Sequence, residues 1–448
     1  MPIEILYILA LLAIIFVSFL LLKRPIYECM FYGYVLMVIL TGEYKNFFAY
    51  ILKTSTDTLF YAIIAFLVLA KILDATHAID TVVNFIVAIF GRLRGGAGYA
   101  AVVGSTFMGA LSGSGAGNVA TTGVFTIPAM KRSGFPAHLA ANIECAASTM
   151  GNMIPPAGVI VAALACYNEF SGAEMSQSTF WIAMWGVAIW FIIQRLITVY
   201  VFCRIHKVKP MAKVEIPSIK ETFKKGWANL LLPVVILLPF ICDYFFKATF
   251  YTERLGAGAA NMSSSLLLFT PGIAAAYALL VNLKKTNIKG LVTTIKDSVS
   301  GIVPVGATIF FAYCISNLFT ATDVGLKIGE YIKQWDLSLV VLAFIIPLIT
   351  AVLGMVLPGS AQTKIFGTMI ISVFAAAGGN PLLAAVMLPV ITGAMEGMTP
   401  PLALCMYTAM GIAESDMKKT TINCFIWVGI HYLLSVVCLL GILPVLGI

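Results

Sequence analysis

Two stretches set 245 residues apart, STMGNMIPP (148–156) and GAMEGMTPP (393–401), place glycine and a double proline inside long apolar runs. In a bilayer no water satisfies the backbone groups that such a break sets free, so a break is tolerated only within protein or beside a polar cavity. The fold must therefore enclose both. The chain has 60% hydrophobic and 11% charged residues over 448 positions, and its mean hydropathy is +0.98. A soluble domain carries about 25% charged residues. The apolar surface here exceeds what ordinary cores hide, which makes lipid the solvent. A β-barrel is excluded because runs such as IEILYILALLAIIFVSFLLL (3–22) are continuous rather than alternating. An all-α polytopic membrane protein is expected.

No basic residue precedes the 3–22 run and no small-residue cleavage site follows it, so it reads as a retained span rather than a signal peptide. Further spans are expected at 25–41, 58–74, 178–203, 228–246, 263–281, 299–315 and 421–443. The net charge of +8 is the Lys and Arg excess of cytoplasmic loops and calls for no nucleic acid. Basic clusters fall at Lys23/Arg24, Arg92/Arg94, Lys131/Arg132, 204–225, Lys284/Lys285/Lys289 and Lys418/Lys419; placing them inside leaves the acidic loop 168–177 outside. Nine cysteines show no CxxC spacing and read as small apolar residues. The segments 78–93 and 321–335 look amphipathic, as surface arms or short solvent-facing loops. The four histidines fall near predicted ends, where surface roles are the default.

Around the breaks the spacing repeats. Gly134, Pro136, Pro155 and Pro156 match Gly379, Pro381, Pro400 and Pro401, and Met150 and Met153 match Met395 and Met398, all at one offset. With only 19 prolines in the chain, three coincident ones argue for an internal repeat. Lys131-Arg132 precede the first copy and Lys418-Lys419 follow the second, so the two copies run in opposite directions. Inverted repeats with broken helices are a signature of secondary transporters, whose site lies at the repeat interface. The expected organisation is 1–57 as N-terminal scaffold helices and 58–203 as a first inverted repeat, with a re-entrant hairpin at 97–130 and a broken helix at 136–167. A cytoplasmic linker follows at 204–227 and scaffold helices at 228–298. The second inverted repeat takes 299–448, with a hairpin at 338–377 and a broken helix at 381–413.

Hairpin tips and helix breaks expose carbonyls that coordinate a small hard cation and N–H groups that favour an anion. Ser112, Ser114, Asn118, Thr121 and Thr122 offer neutral oxygens in the first half; Ser360, Gln362, Thr363 and Thr399 do so in the second. Such oxygens suit Na⁺ better than a proton relay, which needs embedded carboxylates or histidines. Ionisable residues at depth are few: Glu144, Arg195, Asp297, Lys364 and Glu396. Lys364 is the candidate partner for an anionic substrate; the alternative is a lysine that snorkels to the surface or pairs with Glu396. Glu396 reads equally as a cation ligand or as an acceptor for loose N–H groups, and Glu144 as structural. No Walker motif, nucleophile–base pair or metal cluster is apparent, so neither ATP hydrolysis nor enzyme chemistry is expected.

The stretch SGSGAGNVATTGVFTIPAMKRSGFPAHLAANIECAASTMGNMIPP (112–156), with GMVLPGSA (354–361) and EGMTPPLALCMYTAMGIAESD (396–416), resembles the large membrane subunit of tripartite ATP-independent periplasmic (TRAP) transporters. The similarity runs from about residue 58 onward, and the SGS…N.ATTG.FTIP.MKR wording is closer to the branch that partners TAXI-type binding proteins. The resemblance implies an elevator-type, sodium-driven importer of organic acids in the bacterial inner membrane. Its implied partners are an extracytoplasmic solute-binding protein and a small four-helix membrane subunit, expected as a separate chain. The family's Na⁺ sites between hairpin tips and helix breaks map here onto 112–115, 151–152, 357–360 and 397–399. Together with the residue chemistry this makes Ser112, Gly113, Ser114, Asn118, Gly151, Asn152, Gly354, Leu357, Gly359, Ser360, Glu396, Gly397 and Thr399 the candidate Na⁺ site residues. The substrate is then expected near Thr121, Thr122, Pro155, Gln362, Thr363, Lys364 and Pro400. The chain departs from the family's pattern in Gly-Ala-Gly at 115–117, where bulkier small residues are more common, and it carries Lys364, to which the resemblance assigns no role. A stand-alone sodium/anion symporter of the same superfamily is the alternative.

Overall fold

The computed structural model describes residues 3–448 apart from 77, 113–114, 213–215, 257, 284–287, 336, 356 and 401–402, and every regular element among them is helical. The helices show what lipid demands of a sequence. Along Gln177–Ile205, Phe180, Met184, Phe191 and Arg195 are buried while Ile189, Ile193, Ile197 and Val201 are exposed. Apolar residues thus cover both faces, with one stripe on protein and the other on lipid. Gln177–Ile205 and Met417–Leu439 are each long and apolar enough to cross a membrane by themselves; Ile219–Leu230 with Leu232–Asp243 makes a third span if its 43° bend is one passage.

Helix starts follow capping chemistry. Ser176, Ser338, Asn380 and Asp416 each accept backbone N–H groups of the first turn through their side chains. An outer layer is made by Ile26–Thr41, Thr58–Ala75, Leu232–Phe246, Gly258–Asn282 and Ile288–Ala321, which pack on one another in succession. Against it lie two hairpins and two broken helices. The first hairpin joins Gly96–Ser112 to Gly115–Arg132, and the second joins Leu339–Leu353 to Gly359–Ala376. Gln177–Ile205 and Met417–Leu439 each follow one broken helix in the chain, and both pack onto the broken helices.

The amphipathic segments are helices, Ala78–Phe90 and Val324–Lys333, and each packs on neighbouring helices. Ile219–Leu230, the second half of the polar stretch expected to be a plain linker, lies on Ala78–Phe90. Gly226 meets Thr81 there, and Asn229 donates to Thr81 Oγ1 at 3.4 Å. Val324–Lys333 packs on Gly359–Ala376. The polar composition of 204–227 concealed a helix that buries Gly226 and Asn229 and leaves Ile219, Phe223 and Trp227 exposed.

Candidate functional site

The first broken helix runs Ala137–Ser148, tightens into a 3₁₀ turn over Thr149–Asn152, opens through Met153–Ala157 and resumes at Gly158–Ser171. The second runs Pro381–Leu388, widens into a π turn over Pro389–Gly393, continues through Ala394–Glu396, opens, and resumes at Leu404–Ala413. The two breaks touch. Asn152 Nδ2 donates to the Gly393 carbonyl, a side-chain bond from one break to the backbone of the other.

Glycines let the hairpins reach these breaks. A Cβ at Gly151 would stand 2.7 Å from Gly109 Cα, and one at Gly354 would stand 3.3 Å from Glu396 Cα. These two pairs occupy corresponding positions in the repeated spacing, 245 residues apart. Asn118 Nδ2 donates to Ser105 O at 2.6 Å and approaches Ser148 O at 3.4 Å, tying both arms of the first hairpin to the end of Ala137–Ser148. On the second side Glu396 Oε2 accepts the backbone N–H of Gly359, at the start of the returning arm. Gln362 Nε2 donates to Leu357 O at 2.9 Å, Thr363 and Thr392 share a hydroxyl contact at 2.7 Å, and Thr399 Oγ1 donates to Met395 O at 3.1 Å. Met406 N donates to the Gly397 carbonyl at 3.1 Å across the second break.

The structure thus gathers Asn118, Gly151 and Asn152 at one break, and Gly354, Leu357, Gly359, Gln362, Thr363, Glu396, Gly397 and Thr399 at the other. Ser360 and Pro400 stand half-buried beside them. Gly113 and Ser114 lie outside the described residues, as do the side chains of Ser112 and Thr121. Thr122 turns inward to Glu144. Pro155 lines an apolar cavity of about 160 Å³ with Phe107, Trp185 and Ile236.

The partners of three buried polar groups were not legible in the sequence. Glu144 is fully buried and accepts from Ser105 (2.7 Å), Thr122 (2.5 Å), Thr126 (2.5 Å) and Ser148 (3.0 Å). Four hydroxyl donors meet the demand that a buried carboxylate be hydrogen-bonded. His431, expected near the surface, is 1% exposed in mid-helix. Its Nε2 faces Val390 O at 3.0 Å, which assigns the proton there and leaves Nδ1 to accept from Arg195 Nη2 at 3.3 Å. Arg195 in turn donates to Ala146 O at 2.7 Å and to Thr149 Oγ1 at 3.3 Å. A polar bracket therefore ties the two breaks together from behind. Third, Lys364 is paired with Glu169 at 2.5 Å. The sequence signal available for each was a polar residue within an apolar run, but apart from Ser148 beside Glu144 the partners named lie on other elements.

The match to known proteins is consistent with this geometry. The family described as "Tripartite ATP-independent periplasmic transporter, DctM component" matches residues 12–446. The chain belongs to that family. It is similar to the C4-dicarboxylate TRAP transporter large permease protein DctM of Vibrio cholerae, at 25% identity over 383 residues, 84% of this chain and 82% of that one. It is also similar to the 2,3-diketo-L-gulonate TRAP transporter large permease protein YiaN of Escherichia coli, at 23% identity over 86% of this chain and 85% of the relative. Among solved structures, Neisseria gonorrhoeae MtrF, titled as one of a class of antimetabolite efflux pumps, superposes with a TM-score of 0.61 at 13% identity, covering 90% of this chain and 83% of that one. That likeness concerns the fold alone. A TRAP large permease is a multi-pass inner-membrane transport component, not an enzyme, and it works with a small membrane subunit and a periplasmic binding protein.

Proposed function

We propose that this chain is the sodium-driven permease of an importer for a small organic acid, in which Na⁺ binds at the two helix breaks and orders the hairpin tips. The observation that carries the reading is the meeting of the breaks at Asn152 and Gly393, framed by neutral oxygens. Gln362 Oε1 supports it: this amide oxygen is buried and has no hydrogen-bond partner among the described residues. An orphaned buried acceptor is costly unless something completes it, and a hard cation with oxygen ligands is the fitting guest. Glu396 then acts as a ligand or as the anchor of the tip through Gly359. Substrate meets Lys364, Gln362, Thr363 and Pro400 from the second half and Thr121 and Pro155 from the first, while Thr122, turned inward to Glu144, is not part of its site. The hairpins and broken helices move together against the outer layer in an elevator-type cycle. The substrate arrives on an extracytoplasmic solute-binding protein, and a small four-helix membrane subunit completes the assembly.

The test is reconstitution of the permease with its small subunit and binding protein in proteoliposomes, with labelled acids beginning at succinate. Uptake is expected under an inward Na⁺ gradient and only with the binding protein present. Equal uptake under a proton gradient alone would overturn sodium coupling, and uptake by the permease alone would overturn the three-part assembly. Lys364→Ala is expected to reduce uptake far more than it reduces the amount of permease in the membrane; equal loss of both would make Lys364 a structural residue.

A further inference from the structure

Lys364 does not wait for substrate in an empty site, and the residue that occupies it has a substrate-like group. Gly158–Ser171 lies so close to Gly359–Ala376 that a Cβ at Gly367 would fall 2.8 Å from Cys166 Sγ. Cys166 also donates to Thr363 O at 3.3 Å. About one turn further on, Glu169 faces Lys364 and Thr368, which are four residues apart and share one face of their helix. Lys364 Nζ donates to Oε1 at 2.5 Å and Thr368 Oγ1 donates to Oε2 at 2.9 Å, so each carboxylate oxygen has its own donor. The lysine side chain is 2% exposed and the glutamate 23%, so the carboxylate enters from the open side. Lys364 Nζ lies 4.7 Å from the centre of the Tyr313 ring, and the buried Tyr313 hydroxyl has no hydrogen-bond partner among the described residues. Beside Glu169 opens a cavity of about 130 Å³, lined also by Ser316, Thr320, Asp323 and Thr368.

A buried ammonium without a counter-ion is strongly unfavourable, whereas exchanging one carboxylate for another keeps it paired throughout. We propose that Glu169 is a tethered stand-in for the substrate's carboxylate: it holds Lys364 and Thr368 between cycles, and an acid entering the cavity displaces it. The inference rests on the reading that Lys364 receives an organic acid, and it adds the residue that competes for the site. In the exchanged state Glu169 turns to the open side, where water solvates it, and the Tyr313 hydroxyl is a spare donor next to the incoming group. Exchange makes the site selective for acids that can outcompete a local carboxylate.

Chemical rescue tests this without any knowledge of the transported acid. The permease is purified with its small subunit, and its Tm is followed in acetate, in succinate and in chloride at equal ionic strength. Glu169→Ala is expected to lower Tm. Acetate or succinate, but not chloride, should then raise it saturably, because a ligand that binds only the folded state stabilises that state. The wild type, its site already filled, should need about ten-fold more of either acid for the same rise. Glu169→Gln, which keeps the side-chain volume, gives the same comparison if the alanine variant does not fold. Adding Lys364→Met should abolish the response. No carboxylate-specific rise in either Glu169 variant, or a rise that survives Lys364→Met, would make Glu169 a structural partner only. Rescue as expected, together with failed sodium-driven uptake by the wild type, would refute the import reading and leave this site standing.

Discussion

The two hairpins have matching spacing in the sequence but pack in different ways. The arms of the first, Gly96–Ser112 and Gly115–Arg132, lie tightly together and against Ala137–Ser148. The arms of the second touch little; Gly359–Ala376 packs instead on Gly158–Ser171, Val324–Lys333 and Ile288–Ala321. Their carboxylates differ in step. Glu144 sits one turn beneath the first break inside a ring of hydroxyls, while Glu396 stands at the second break and takes the backbone N–H of the hairpin itself. In the repeated spacing Glu396 corresponds to Gly151, so a charge at one crossing faces a bare backbone contact at the other. The first crossing is set by close packing, and the second by a carboxylate that takes a backbone N–H on a hairpin whose arms touch little.

Substitutions at corresponding positions sharpen that contrast. The largest effect is expected from Gly109→Ala, whose Cβ would run into Gly151 Cα, backbone on backbone. Overpacking of this kind costs about 1–3 kcal/mol, read as a lower Tm and lost uptake. Its counterpart Gly354→Ala, at 3.3 Å, should cost less than about 1 kcal/mol. Equal losses would break the comparison. Next, Glu396→Gln should raise the Na⁺ concentration for half-maximal uptake about ten-fold or more, a loss of about 1.4 kcal/mol of binding. Glu144→Gln, remote from the crossing and acting through Ser148, should raise it by a smaller factor while lowering Tm. The reverse order of Na⁺ effects would place the working charge at the first break. The smallest effect is expected from Gln362→Leu, which removes the orphaned oxygen: Na⁺ half-saturation should rise a few-fold, with Tm unchanged or higher because an unsatisfied buried acceptor costs about 1–3 kcal/mol. A fall in Tm with unchanged Na⁺ dependence would show that the amide is structural.

Much of this was legible in one dimension. The spans, the breaks and their offset follow from apolar runs and from proline and glycine, which act on their own backbone. Asn118, Gly151, Asn152, Gly359 and Glu396 could be named because polar or flexible residues stand out against lipid-facing sequence. Partner choice was not legible. The sequence offers Lys364 as a partner for substrate, with snorkelling or pairing to Glu396 as the alternative, and in the structure it pairs with Glu169, 195 residues away in the chain. His431 was expected at the surface, yet it lies mid-helix, where packing buries it against Arg195.

The sequence by itself determined that the chain lives in lipid, that two helices break at matched points, and that neutral oxygens and a few charges gather there, because local backbone chemistry and hydropathy require no partner. Only the tertiary structure decided which of those groups face each other. A buried charge takes its role from the donors around it, and those donors arrive on helices whose order in space the linear spacing does not encode: Glu144 in its hydroxyl ring, Glu396 on the hairpin backbone, and Glu169 on the lysine expected to await a substrate.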